Sequence, residues 1–165
     1  MKNLKSVFIL FALLSFQVSG AQSSKNEKNA IRNEVIKSTV DGKRFIFQAQ
    51  SVSPTGSGIR QLSSGYYLTV LRDSIISNLP YFGRSYQATM GAQDGGIKFT
   101  SLKFNYTVKN RKKGGWDIKI QTEDVKGSPQ IFFNISSSGT ASLRISSNDR
   151  QSISYNGFVE EKSKP

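Results

Sequence analysis

Arginine set among aromatic rings is the combination in this chain best suited to chemistry. Arg84 stands with Tyr81, Phe82 and Tyr86. A guanidinium stacked on such rings offers a planar fork of donors that suits a carboxylate, a phosphate or a sugar acid. Arg150, between Asn148-Asp149 and Tyr155, repeats the combination. Each arginine also has a plainer role, which the sequence favours: Arg84 as a tie from a loop to strand carbonyls, Arg150 as half of a turn-bracing contact with Asp149. Glycoside hydrolysis would need two converging carboxylates. The nearest candidates are Asp117, Glu123 and Asp124, and their polar, turn-adjacent settings read as solvated surface charge. The chain holds no histidine and no cysteine, which removes Ser-His-Asp and Cys-His nucleophilic machinery and nearly all ordinary zinc sites. The expectation is a non-catalytic protein without cofactor or metal. Gly91 to Gly96 does not follow a phosphate-loop pattern and reads as turns. Trp116, Tyr66, Tyr67 and Tyr106 could stack on a sugar, but aromatics in strand phase more often pack across strands.

Charge narrows the partners. There are 23 basic and 11 acidic residues, a net charge of +12. Such a balance favours anionic lipid headgroups, acidic polysaccharide or nucleic acid through Coulomb steering and counterion release. The basic residues are scattered from Lys25 to Lys164, so solubility alone accounts for much of the charge. Arg111-Lys112-Lys113 is a tight cluster, and between Asn110 and Gly114-Gly115 it reads as a hairpin tip.

Address is legible at the N-terminus. Lys2 and Lys5, the apolar run Val7 to Val18 and the small residues Ser19-Gly20-Ala21 have the three-part form of a secretory signal peptide. The run is about 12 residues, against roughly 20 for a bilayer-crossing helix. Residues 1–21 are therefore expected to be removed near Ala21, leaving a chain from Gln22, periplasmic or secreted, with no transmembrane anchor. Without Lys2 and Lys5 the charge is +10, from 21 basic and 11 acidic residues. Export argues against intracellular nucleic acid as a partner. The missing cysteine leaves no disulfide and no lipid attachment point at the cleavage site.

Residues 22–160 form one expected domain, with a frayed tail at 161–165. A helix is predicted over about 24–39, where Ala30, Ile31, Val35 and Ile36 recur near helical spacing, its narrow stripe packing on a sheet. Lys43 to Val52 alternates as a first strand, Ser53 to Gly65 is a loop, and Tyr66 to Arg72 is a second strand. Asp73 to Met90 has no clear period. Strands follow at Ile97 to Ser101, Lys103 to Lys109 and Trp116 to Thr122. A further hairpin has Ile131, Phe133 and Ile135 facing Ala141, Leu143 and Ile145, and Ile153 to Val159 is the last strand. Seven or eight short strands joined by tight turns predict a mainly β domain. The expected form is an antiparallel meander curled into a barrel-like half-open sheet, which limits exposed edges, with a two-layer sandwich as second choice.

Four segments together carry a resemblance: Tyr81-Phe82-Gly83-Arg84-Ser85-Tyr86, Gly95-Gly96-Ile97-Lys98-Phe99, Lys112-Lys113-Gly114-Gly115-Trp116, and Ile145 through Gly157. Over most of Ser24 to Val159 the chain resembles a domain-of-unknown-function family of short exported Bacteroidetes proteins. That resemblance implies a signal peptide or lipoprotein signal, one small domain and no assigned activity. It also implies O-glycosylation at Ser74, because Asp73-Ser74-Ile75 matches the acceptor pattern such bacteria use.

The leading functional expectation is an exported, non-catalytic binding module for an anionic or glycan-like ligand, with Arg84, Tyr81, Tyr86 and Arg150 as ligand-binding residues. The alternative is a structural or envelope-interaction protein using its basic surface, and a histidine-free hydrolase comes third.

Overall fold

A computed structural model describes residues 19–84, 86 and 96–162, and within 19–26 only the course of the main chain. Much of the expected signal peptide, part of the Gly91 to Gly96 turn and the end of the tail lie outside the described residues. Among the described residues one helix, α1 (Ser19–Asp41), precedes ten strands: β1 (Phe45–Pro54), β2 (Arg60–Gln61), β3 (Tyr67–Val70), β4 (Ile75–Leu79), β5 (Ile97–Ser101), β6 (Phe104–Asn110), β7 (Trp116–Thr122), β8 (Gln130–Ile135), β9 (Thr140–Ser146) and β10 (Ile153–Glu161). Every pairing is antiparallel, and the order across the sheet is β5-β4-β3-β1-β10-β9-β8-β7-β6, with β2 added to β1.

That order forces the sheet to curl. β5 and β6 are its opposite edges, yet only Leu102 and Lys103 separate them in sequence. Laid flat, the eight strand spacings between those edges would span about 38 Å. The three steps from Ser101 to Phe104 reach at most about 11 Å. The edges must therefore meet at this corner, and the sheet nearly closes into a barrel. Among the described residues β5 and β6 do not pair along their lengths, so a seam stays unsealed.

Asp124 fixes the corner. Its Oδ1 accepts from the Ser101 hydroxyl at 2.5 Å, and its Oδ2 accepts from the amides of Leu102 at 2.7 Å and Lys103 at 3.1 Å. The Glu123 amide donates to the Lys103 carbonyl at 2.9 Å. Ionised Asp124 accepts all three bonds, and the Ser101 hydroxyl, followed by the Leu102 amide, holds its carboxyl below the usual range.

Inward positions fill the barrel. Phe45, Phe47, Leu68, Ile75, Leu79, Ile118, Ile120, Ile131, Ile135, Leu143, Ile153 and Tyr155 are fully buried. Phe133 sits edge-on to Phe45 and Phe47, with ring centroids 5.6 and 5.7 Å away. This is a packed interior rather than a ligand chamber. β1 carries a bulge between Ala49 and Ser51, which brings the Gln48 carbonyl hard against Gly157 of β10. A Cβ at Gly157 would lie 1.9 Å from that oxygen, so the close approach admits glycine alone.

Three readings of the sequence need correction. The described residues form ten strands rather than seven or eight. β4 lies in the stretch without clear period, where Ser77 faces inward between Ile75 and Leu79 in place of an apolar residue. β2, two residues long, is too short to leave a periodic signal. The helix is Ser19–Asp41 rather than 24–39, and it buries its end instead of a stripe. Ile36, Thr39 and Val40 are buried, whereas Ile31 is 58% and Val35 41% exposed. α1 packs on β10, and at its end the Tyr106 hydroxyl of β6 donates to the Val40 carbonyl at 3.3 Å, with the Lys43 ammonium 4.9 Å from the Tyr106 ring.

Phe133→Ala is expected to destabilise the fold by about 3–5 kcal/mol in denaturant titration, because it removes the ring that joins two aromatic contacts. Asp124 makes stability depend on acid. Its folded pKa is depressed, so its contribution is present above the unfolded carboxylate pKa of about 3.9 and is lost as pH falls through the lower folded value. In Asp124→Asn one acceptor becomes a donor facing donors. The variant should melt earlier at pH 7, and the difference from the parent should shrink on acidification.

Candidate functional site

The four residues singled out in the sequence meet at one end of the barrel, where the chain leaving β4 crosses the β9–β10 connection. Tyr81 and Arg150 come into contact, with the Arg150 guanidinium 5.1 Å from the Tyr81 ring centre. The same guanidinium pairs with Asp149 at 3.1 Å and donates to the Gly96 carbonyl at 3.4 Å. The Tyr81 hydroxyl lies 2.8 Å from the Arg84 carbonyl and 3.0 Å from the Gln151 carbonyl, so its one proton serves both. Arg84 and Tyr86 are attached through their backbones. The Arg84 carbonyl accepts from the Gln151 amide at 3.0 Å, and the Tyr86 amide donates to the Asp149 carbonyl at 2.8 Å. Their side chains are exposed, Tyr86 at 67%.

Electrostatics at this corner favour cohesion. Burial pushes the Tyr81 hydroxyl up against the opposing pull of Arg150. Burial also pushes Asp149 up, but hydrogen bonds from Arg150 and Ser147 outweigh it and hold the carboxyl below its ordinary value. Tyr155, raised by burial, donates to the Pro80 carbonyl at 2.6 Å and completes the clasp. Arg150 also borders a cleft of about 150 Å³ between β5 and the β7–β8 connection. Ser74 sits in the β3–β4 turn, its hydroxyl 3.0 Å from the Asp73 carboxylate.

A different surface has the open form of a binding site. The outer face of β6 to β10 forms a recess of about 550 Å³. Thr107, Lys119, Phe132, Arg144 and Ser154 stand in register across it, one from each of five successive strands. Lys109, Asp117, Asn134, Ser142 and Asn156 form the adjoining row. Phe132 is 36% exposed, and the Lys119 ammonium lies 5.7 Å from its ring. Asp117 is occupied within the protein: Asn134 donates to it at 2.9 Å, and Arg111 lies 3.8 Å away while donating to Asn134 at 2.8 Å. Among the described residues, ion pairs involve Arg111 and Arg150 but not Lys109, Lys119 or Arg144. Sequence reasoning missed this face. Its residues are scattered over 48 positions from Thr107 to Ser154, and only strand register assembles them.

The carboxylates considered for hydrolysis have separate partners: Asp117 binds Asn134, Glu123 accepts from Asn105 at 2.6 Å, and Asp124 holds the β5–β6 corner. Trp116 is buried in the core and Tyr106 is partly buried against it. A second recess, of about 900 Å³, lies outside β1, β3, β4 and β10, where Ile46, Tyr67, Ile76 and Phe158 give it an apolar character.

Arg150→Ala should cost about 1–2 kcal/mol in thermal or chemical unfolding, because it removes the ring contact and a partly buried charged hydrogen bond. Arg84→Ala, which leaves the bonded backbone in place, should change stability by no more than about 0.5 kcal/mol.

Comparison with known proteins agrees with the fold and supplies no activity. No curated protein matches the chain. The crystal structure of a DUF4251 family protein from Bacteroides eggerthii DSM 20697 is similar, with a TM-score of 0.60 over 80% of this chain and 89% of that one, at 13% identity. The family model described as "Domain of unknown function (DUF4251)" matches residues 27–159, and the chain belongs to that family.

Proposed function

We propose that this protein is an exported, non-catalytic binding module for an anionic, chain-like ligand, and that the outer face of β6 to β10 receives it. The observation that carries the reading is the row Lys119, Phe132 and Arg144 across a recessed sheet face, with two cations that form no ion pair among the described residues flanking an exposed ring. Apolar contact with cations on either side suits a polyanion that also presents a flat surface. The net charge of +10 on the chain from Gln22, 21 basic against 11 acidic residues, adds long-range attraction. Export rests on the three-part N-terminal pattern, and no described helix is long and apolar enough to cross a membrane. The reading of a protein that meets an anionic envelope surface uses the same charge, but a recess favours a ligand that can enter it over a flat bilayer.

Arg84 and Tyr86, exposed beside the Tyr81–Arg150 clasp, form a second proposed contact region for the same ligand class. The missing catalytic constellation in the sequence supports a binding role over hydrolysis.

The test is retention on an immobilised acidic polysaccharide across a salt gradient. The protein should bind at low salt, with affinity falling steeply as salt rises. Lys119→Glu combined with Arg144→Glu should weaken binding about tenfold or more. Lys28→Glu combined with Lys37→Glu on α1 makes the same change in net charge and should have far less effect. Equal losses from the two pairs would show diffuse attraction and remove the proposed face.

A further inference from the structure

The row across β6 to β10 also measures its ligand. Neighbouring strands are about 4.8 Å apart, so Lys119 on β7 and Arg144 on β9 stem from points about 10 Å apart, with Phe132 midway on β8. A sugar in an extended glycan advances by close to one strand spacing. A nucleotide in an extended strand advances distinctly further and carries a charge at every unit. A glycan laid across the strands therefore meets one strand per sugar, and its charges face Lys119 and Arg144 while leaving an uncharged sugar over Phe132 only if they fall on alternate sugars.

Resting on the reading that this face binds anions, we infer that its ligand is a linear polysaccharide with an acid group on every second sugar. The chain lies across the strands, with Lys119 and Arg144 on successive acid groups and Phe132 beneath the uncharged sugar between them. The Lys119 ammonium already leans toward the Phe132 ring at 5.7 Å, an exposed contact weak enough for an incoming carboxylate to redirect. Thr107 and Ser154 extend the row to five positions, while Asn134, Ser142 and Asn156 of the adjoining row offer amide and hydroxyl groups to sugar hydroxyls. Carboxylate alone would repel the ligand, and the one acid of this recess, Asp117, is already held by Asn134 and Arg111.

Titration calorimetry with size-defined oligosaccharides tests the spacing. Hyaluronan fragments, β-linked with a uronate on alternate sugars, are the probe. Matched comparisons are oligogalacturonate, charged on every sugar, and oligothymidylate of equal charge. Hyaluronan should bind at least about tenfold tighter than either, with affinity rising up to about five sugars and then levelling, as the width of the row requires. Phe132→Ala should weaken binding several-fold without changing its salt dependence, Phe132→Tyr should retain it, and Lys119→Gln or Arg144→Gln should each reduce the salt slope. Circular dichroism of each variant separates lost binding from lost fold. Equal binding of all three polyanions, abolished by Lys119→Glu with Arg144→Glu, would overturn the alternate-sugar inference while leaving the anion-binding face intact. Tighter binding of oligothymidylate would overturn it in favour of a nucleic-acid ligand, and binding of none would remove both readings.

Discussion

The short link Leu102-Lys103 is the constraint on which the architecture depends. A chain that adds neighbours on both sides of β1 and β10 produces two edges far apart in a flat sheet, and two residues cannot bridge that distance. Curling is therefore imposed by covalent connectivity as much as by the wish of edge strands to be covered. Since β5 and β6 meet only at the corner, Asp124 acts where hydrogen bonding between the edges is missing, gathering the amides of the link onto one carboxylate. At the end of α1 the Tyr106 hydroxyl of β6 donates to the Val40 carbonyl.

Closure determines where a ligand can go. Phe133, in edge-on contact with both Phe45 and Phe47, packs within the barrel. Its recesses outside β6 to β10 and outside β1, β3, β4 and β10 lie on the outer surface. The two halves of that surface differ. Outside β6 to β10 the positions are lysine, arginine, threonine, serine and asparagine around one phenylalanine, whereas outside β1, β3, β4 and β10 the apolar Ile46, Tyr67, Ile76 and Phe158 are mixed with Gln48, Thr69, Glu160 and Lys162. The clasp of Tyr81, Arg150 and Asp149 belongs to the frame: it fastens the β4 exit to the β9–β10 connection at the end of the barrel.

Most of the strands were legible because burial on one face imposes alternation. Phe45-Phe47-Ala49, Trp116-Ile118-Ile120 and Ile131-Phe133-Ile135 each place apolar residues two apart, and each is a strand with that phase facing the core. β4 was not legible, because inward Ser77 interrupts its apolar phase and satisfies its hydroxyl on the Ile97 carbonyl, a partner 20 residues away. The helix register misled for a related reason. Ile31 and Val35 repeat at helical spacing, but α1 reaches the barrel only from Ile36 onward, after them in the chain.

By itself the sequence determined the composition of the interior, the alternation of the strands and their turns, the basic-then-apolar pattern of the N-terminus and the exclusion of histidine and cysteine chemistry. These are local or additive properties, carried by residue type and short spacing. Tertiary structure alone decided which strands are neighbours, and with them the contact of Tyr81 with Arg150, 69 residues apart, and the alignment of Lys119, Phe132 and Arg144 on one face. Register depends on the lengths of every connection and on closure of the whole sheet, so no single segment encodes it.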